Sequence, residues 1–268
     1  MSETEFEEKE REIKELTKLR LAPLYPVYWS SLGLIHLIVD LLLDEVTADE
    51  DSGDTGVKYS KATLILLSRS IQHVESVRLL LEGGMYGDCF PLTRNVMSDL
   101  SMLQYLSYHP ELLDLFLLEK QNDYQTRPEF KAAFSENAIE KDLVGRGQES
   151  VSKAFQMLSK TAHASTFGAQ LYWTKDHASG VHNPKYEPIF EEEKALLLGD
   201  LLLTAHLDFA AVVLRYRQRT GQPTDQWLKV EDELLVLRAK SEQLGRATLV
   251  QVNALWPSGK KRQPDKQE

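Results

Sequence analysis

From Ala195 to Leu214 the chain reads ALLLGDLLLTAHLDFAAVVL, an apolar run broken by very few polar residues. The breaks are ordered. Asp200, Thr204 and Asp208 follow one another at steps of four, and Arg215 continues the row. Steps of three and four bring side chains onto one face of an α-helix, so the run predicts a helix over residues 189–219 with one polar seam and an apolar remainder. Such a helix is stable in water only when other elements cover it. Its two central acids argue against a bilayer span, since each costs about 2.5–3.5 kcal/mol at the centre of a membrane helix. His206 lies off the seam among Leu202, Leu203, Ala210 and Val213, where a core histidine is expected.

The rest of the chain supplies the cover. Gly221 and Pro223 turn it back into a helix over 225–247, whose Trp227, Val230, Leu234, Leu237 and Leu244 form a stripe with Ser241 in one slot. Two long helices joined by a short turn pack antiparallel. Residues 3–22 predict a solvated, charged helix with sparse apolar positions Phe6, Ile13, Leu16 and Leu19, then Pro23 and Pro26. Residues 27–46 predict an apolar core helix, its uncharged run short for a span. The acidic stretch 47–56 lacks the spacing of a calcium loop, because Gly53 stands where a ligand belongs. Residues 57–82 repeat Leu64, Leu67, Ile71, Val74 and Leu81, with Arg78 in the remaining slot, while Arg69 and His73 form an i, i+4 pair expected on an exposed face. Further helices are expected over 110–124, 128–142 and 149–163, and a loop over 174–188 that contains His177 and His182.

These elements predict an all-α, multi-helix bundle with long antiparallel helices. An acidic helical arm covers residues 1–22, a single helical domain 23–256 and a polar tail 257–268. The charge is uneven. Residues 1–56 carry fourteen acids and five bases, whereas 57–268 carry 27 acids and 26 bases. A near-neutral body argues against broad phosphate-backbone binding and leaves room only for a small basic groove. The single cysteine, Cys89, excludes an internal disulfide framework, and the charged start is no secretory signal, so the cytoplasm is the expected compartment.

The polar residues that look placed fall in Gly83–Leu106, GGMYGDCFPLTRNVMSDLSMLQYL. Gly83-Gly84 ends one helix and Asp88 is a candidate N-cap for the next, with Pro91 in its first turn. Met85, Cys89, Leu92, Val96, Leu103 and Leu106 mark a buried face, and Asp99 fills the gap in that row. An acid on an apolar stripe needs a cation, and Arg94 and Arg78 are the candidates. Cys89 on the same stripe reads as an inert thiol.

Leu80-Leu81-x-Gly83-x-x-Tyr86-x-Asp88 followed by Arg94, then Leu158-Ser159 and His163, resembles an uncharacterised family of bacterial all-helical proteins over about residues 60–175. That family's acid four after the Arg is Ser98 here, with Asp99 adjacent. Arg94-Asn95-Val96-Met97-Ser98-Asp99 is also similar to the HEPN motif, in which an Arg and a His act on a phosphodiester across a helical dimer. Asp99 occupies the His position, and a carboxylate repels phosphate and is a poorer acid near neutral pH. The resemblance therefore implies a degenerate, non-cleaving module of stress or phage defence, acting as a homodimer or with a protein partner. The alternative is a metal-independent ribonuclease, with Arg94 stabilising phosphate charge and His163 as general acid/base, supported by Tyr86, Asp88, Asp99 and Ser159. No phosphate-binding Gly loop, GxSxG elbow, HExxH or paired Glu-x-x-His motif occurs, so neither cofactor nor metal is expected.

Overall fold

The structure, a computed structural model, describes residues 3–49, 53–117, 128–148, 173–175, 182–184, 190–221 and 224–255. It is an all-α bundle. In chain order the helices are α1 (Glu3–Leu21), α2 (Tyr25–Ala48), α3 (Thr55–Glu82), α4 (Tyr86–Tyr108), a 3₁₀ turn (Pro110–Leu112), α5 (Leu113–Phe116), α6 (Pro128–Ala133), α7 (Glu136–Gly145), α8 (Glu192–Thr220) and α9 (Asp225–Leu255). Two three-residue strands, β1 (Trp173–Lys175) and β2 (His182–Pro184), pair antiparallel, so the stretch expected to be a plain loop contains a small hairpin.

Helix α8 is the axis of the bundle, packed against α1, α2, α3, α4 and α9. Leu198, Leu203, Ala210 and Val213 are fully buried, as the apolar run requires. The pairs Gln218–Glu231 and Asp208–Arg238, together with the close approach of Gly245 to Asp200, show that α9 runs antiparallel to α8. Helices α3 and α4 pair the same way, with Arg69 and Val77 of α3 opposite Asp99 and Cys89 of α4, and Leu67, Val74, Val96 and Leu103 are buried in the core. By length and composition both α2 and residues 194–220 of α8 reach what a membrane span needs. Inside the bundle the apolar window of α8 is 72% buried and that of α2 is 44% buried. Helix α1 lays Ile13, Thr17 and Leu21 against the bundle.

Helix ends follow local chemistry. Asp54 caps α3, accepting the N–H groups of Gly56 and Val57. Helix α3 stops in a Schellman motif. Gly84 takes φ 72°, its N–H reaches the Leu81 carbonyl, and the Met85 N–H reaches that of Leu80. Helix α7 ends likewise at Gly147, φ 79°. The helix expected over 128–142 is two, because the Ser135 hydroxyl accepts from the Ala138 N–H and starts α7 afresh. Helix α4 begins at Tyr86, earlier than an Asp88 cap would allow. Tyr86 is buried and its hydroxyl accepts the Glu191 N–H ahead of α8, so tertiary anchoring draws the chain into the helix early. Asp88 thus sits exposed in the first turn, where its charge opposes the helix dipole favourably. Pro91 lies beyond that turn, inside the helix.

Candidate functional site

Asp99 is fully buried on α4. Its partner comes from α3. Arg69 Nε donates to Oδ2 at 2.9 Å, Arg69 Nη2 pairs with Oδ1, and the Ser70 hydroxyl donates to Oδ2 at 2.9 Å. The expected partners, Arg94 and Arg78, are elsewhere. The antiparallel crossing puts residues 69–70 opposite Asp99, and the long Arg69 stem lets a 60% exposed side chain reach an interior carboxylate. Arg69 is exposed as expected of that i, i+4 pair, while His73 is half-buried, and the spacing does not show the bond from Arg69 to Asp99. His73 is held below the usual histidine range by burial and by the neighbouring Arg69 charge.

Arg94 Nη2 pairs with Glu136 Oε1 at 2.5 Å, tying α4 to the first turn of α7. Arg94 and Asp99, which the HEPN-like pattern places in one motif, thus serve two different joints. His163 and Ser159 lie outside the described residues. Cys89 is buried, and burial followed by the Asp88 charge pushes its thiol up to about 12, which leaves no thiolate near neutral pH. Burial likewise pushes the Tyr86 phenol up to about 12.

Arg78 organises a cluster that the stripe pattern does not reveal. It bonds Glu75 through Nε at 2.9 Å and Nη2 at 2.5 Å, and Glu82 through Nη1 at 2.5 Å. From α2, the Tyr25 hydroxyl donates to Glu82 at 3.0 Å and the Tyr28 hydroxyl to Glu75 at 3.4 Å. The guanidinium also lies 5.6 Å from the Trp29 ring centroid. The Arg78 hydrogen bonds hold Glu75 below the usual carboxylate range, and burial raises both phenols. One guanidinium serves both carboxylates, and each carboxylate also accepts a phenol, so the cluster joins α2 to α3 rather than offering a free base. The signal was the spacing Glu75, Arg78, Glu82, which are i, i+3 and i, i+4 neighbours.

His206 is buried, with Nδ1 3.1 Å from the Ser31 hydroxyl. Ser31 already donates to the Tyr28 carbonyl, so it accepts from His206. That assigns the proton to Nδ1 and leaves the Nε2 lone pair without a partner among the described residues. Burial, with the neighbouring His36, lowers its pKa to about 4.

The polar seam of α8 opens onto a cleft of about 500 Å³ against α9, lined by Asp200, Thr204, Asp208, Arg238, Ser241 and Glu242. Burial raises both aspartates, and for Asp208 the arginines 238 and 215 partly oppose it. Among the described residues no three His, Cys, Asp or Glu side chains converge as metal ligands.

A model of a family of unknown function (DUF5677) matches residues 60–146. The match starts within α3 and runs past the end of α7, so it contains the Asp99–Arg69 and Arg94–Glu136 joints. No curated protein and no solved structure matches the chain.

Proposed function

We propose that this chain is a non-catalytic helical interaction module of the cytoplasm, acting with a second copy of itself or a protein partner. The HEPN-like pattern adds a role in stress or phage defence. One observation carries the reading. The motif's Arg94 is ion-paired to Glu136, and the residue in its histidine position, Asp99, is buried beneath Arg69. Both side chains hold helices together, and a phosphodiester would have to displace Glu136 to reach Arg94. Similarity to a family of unknown function over residues 60–146 is consistent with this reading and names no activity.

RNA decides it. Single-stranded and structured RNA is expected to survive incubation with the wild-type chain, with Arg94→Ala and His163→Ala giving the same result. Cleavage abolished by both substitutions would replace the module with the ribonuclease. Light scattering tests the partner arm: a homodimer has twice the 30.6 kDa chain mass.

A further inference from the structure

The end of α4 and the last turns of α8 enclose another cleft, of about 250 Å³, lined by Gln104, Ser107, Tyr108, Arg215, Gln218 and Arg219. Gln104 is 3% exposed, and its Nε2 has no hydrogen-bond partner among the described residues. A buried amide donor is costly to leave unpaired, so its retention beside a cleft asks for an acceptor from outside the chain. Two exposed cations flank it. Arg219 is held in place: Nη2 donates to the Ser107 carbonyl at 2.9 Å, Nε to the Arg215 carbonyl at 3.3 Å, and the guanidinium lies 4.8 Å from the Tyr108 ring centroid. Arg215, one turn earlier, donates through Nε to the Ala211 carbonyl at 3.2 Å and through no other nitrogen among the described residues. Nearby Arg217 and Arg238 are ion-paired with Glu45 and Asp208. Arg215 and Arg219 have no such carboxylate bond among the described residues, and Asp208 acts on Arg215 only through space. Each guanidinium carries five N–H donors, so most of theirs remain for a ligand.

We propose that this cleft binds the phosphate group of a small phosphomonoester. Two arginines match a phosphate charge of about −1.5 to −2, and the guanidinium fork fits phosphate oxygens. The Gln104 amide supplies a further donor from below. A long polyanion fits less well, because residues 57–268 carry 27 acids and 26 bases and provide no basic track. The site is separate from Arg94, since ten residues along α4 are about 15 Å. It therefore stands whether or not the chain cleaves RNA.

Calorimetric titration of the full chain with inorganic phosphate, then with adenosine 5′-monophosphate, tests the proposal. Both are expected to bind saturably. Arg215→Gln and Gln104→Leu should each weaken binding about tenfold or more. Gln104→Leu removes the unpaired amide while keeping an apolar body of similar size, so its Tm should stay level or rise, which separates lost binding from lost folding. Failure of either probe to saturate the wild type overturns the proposal, as does affinity unchanged in both variants. A twelve-nucleotide RNA binding a hundredfold more tightly than the mononucleotide would also overturn it, in favour of a polyanion.

Discussion

Two arginine–carboxylate pairs in this protein look alike on paper and differ in what they neutralise. Asp99 has no exposure at all, so removing Arg69 leaves a carboxylate charged and unpaired in the interior. Arg69→Met is therefore expected to cost about 3–5 kcal/mol. Glu136 is 57% exposed, so water takes over when Arg94 is removed. Arg94→Met should cost about 0–1 kcal/mol. Urea denaturation of the two variants side by side checks the contrast, and equal losses would mean that the joints have been misassigned. Asp99 as an acid requiring a cation was legible from its place on the Cys89–Leu106 stripe. Its partner was not, because periodicity reports the face of a residue on its own helix and not which residue of another helix lies opposite.

Single side chains decide where elements begin and how they lock. Helix α7 exists as a separate helix because Ser135 caps it, and its Ile139 and Leu143 then join the core. Ser135→Ala should destabilise by about 1 kcal/mol, with Ser135→Asp close to neutral, read by chemical denaturation. At the other end of the bundle, four helices share one polar clamp. Arg217 of α8 pairs with Glu45 of α2 and donates to Ser60 of α3 at 2.6 Å, while the Trp227 indole of α9 donates to Glu45 at 3.2 Å. Arg217→Met leaves Glu45 with neutral donors only. Because it loosens four helices at once, a larger loss of Tm is expected than for Arg146→Met, whose Asp142 partner lies one turn away on α7 and also bonds His109. Thermal melts of both variants test that ranking.

For the whole molecule, His206 predicts a pH dependence. Its folded pKa of about 4 lies below the ordinary 6.5, so between these values the unfolded chain binds a proton that the folded chain refuses. Stability then rises with pH through that window. The contribution is full above about pH 6.5 and is lost as pH falls toward 4, roughly 3 kcal/mol in all. Glu75 and Asp142, held low by their arginines, lose their share at lower pH, below the ordinary carboxylate range. Denaturation midpoints of wild type and His206→Gln between pH 4 and 7 isolate the histidine. The variant's curve should be flatter across that range, and parallel curves would show that His206 titrates alike in the folded and unfolded chain, which would overturn the shift.

The sequence by itself determined the all-α class, the positions of the long helices and which face of each is buried. The reason is that apolar periodicity is a local property, and a helix stripe as strong as that of α8 has one economical environment. The polar seam Asp200–Thr204–Asp208 was equally plain, and it lines a cleft as a seam on a core helix must. Only the tertiary structure decided which charges meet. The pairs Arg69–Asp99 and Arg94–Glu136, and the clustering of Gln104 with Arg215 and Arg219, join residues thirty to more than a hundred positions apart. Such pairings depend on the register and crossing of helices, which packing of the entire core sets at once and no single helix encodes.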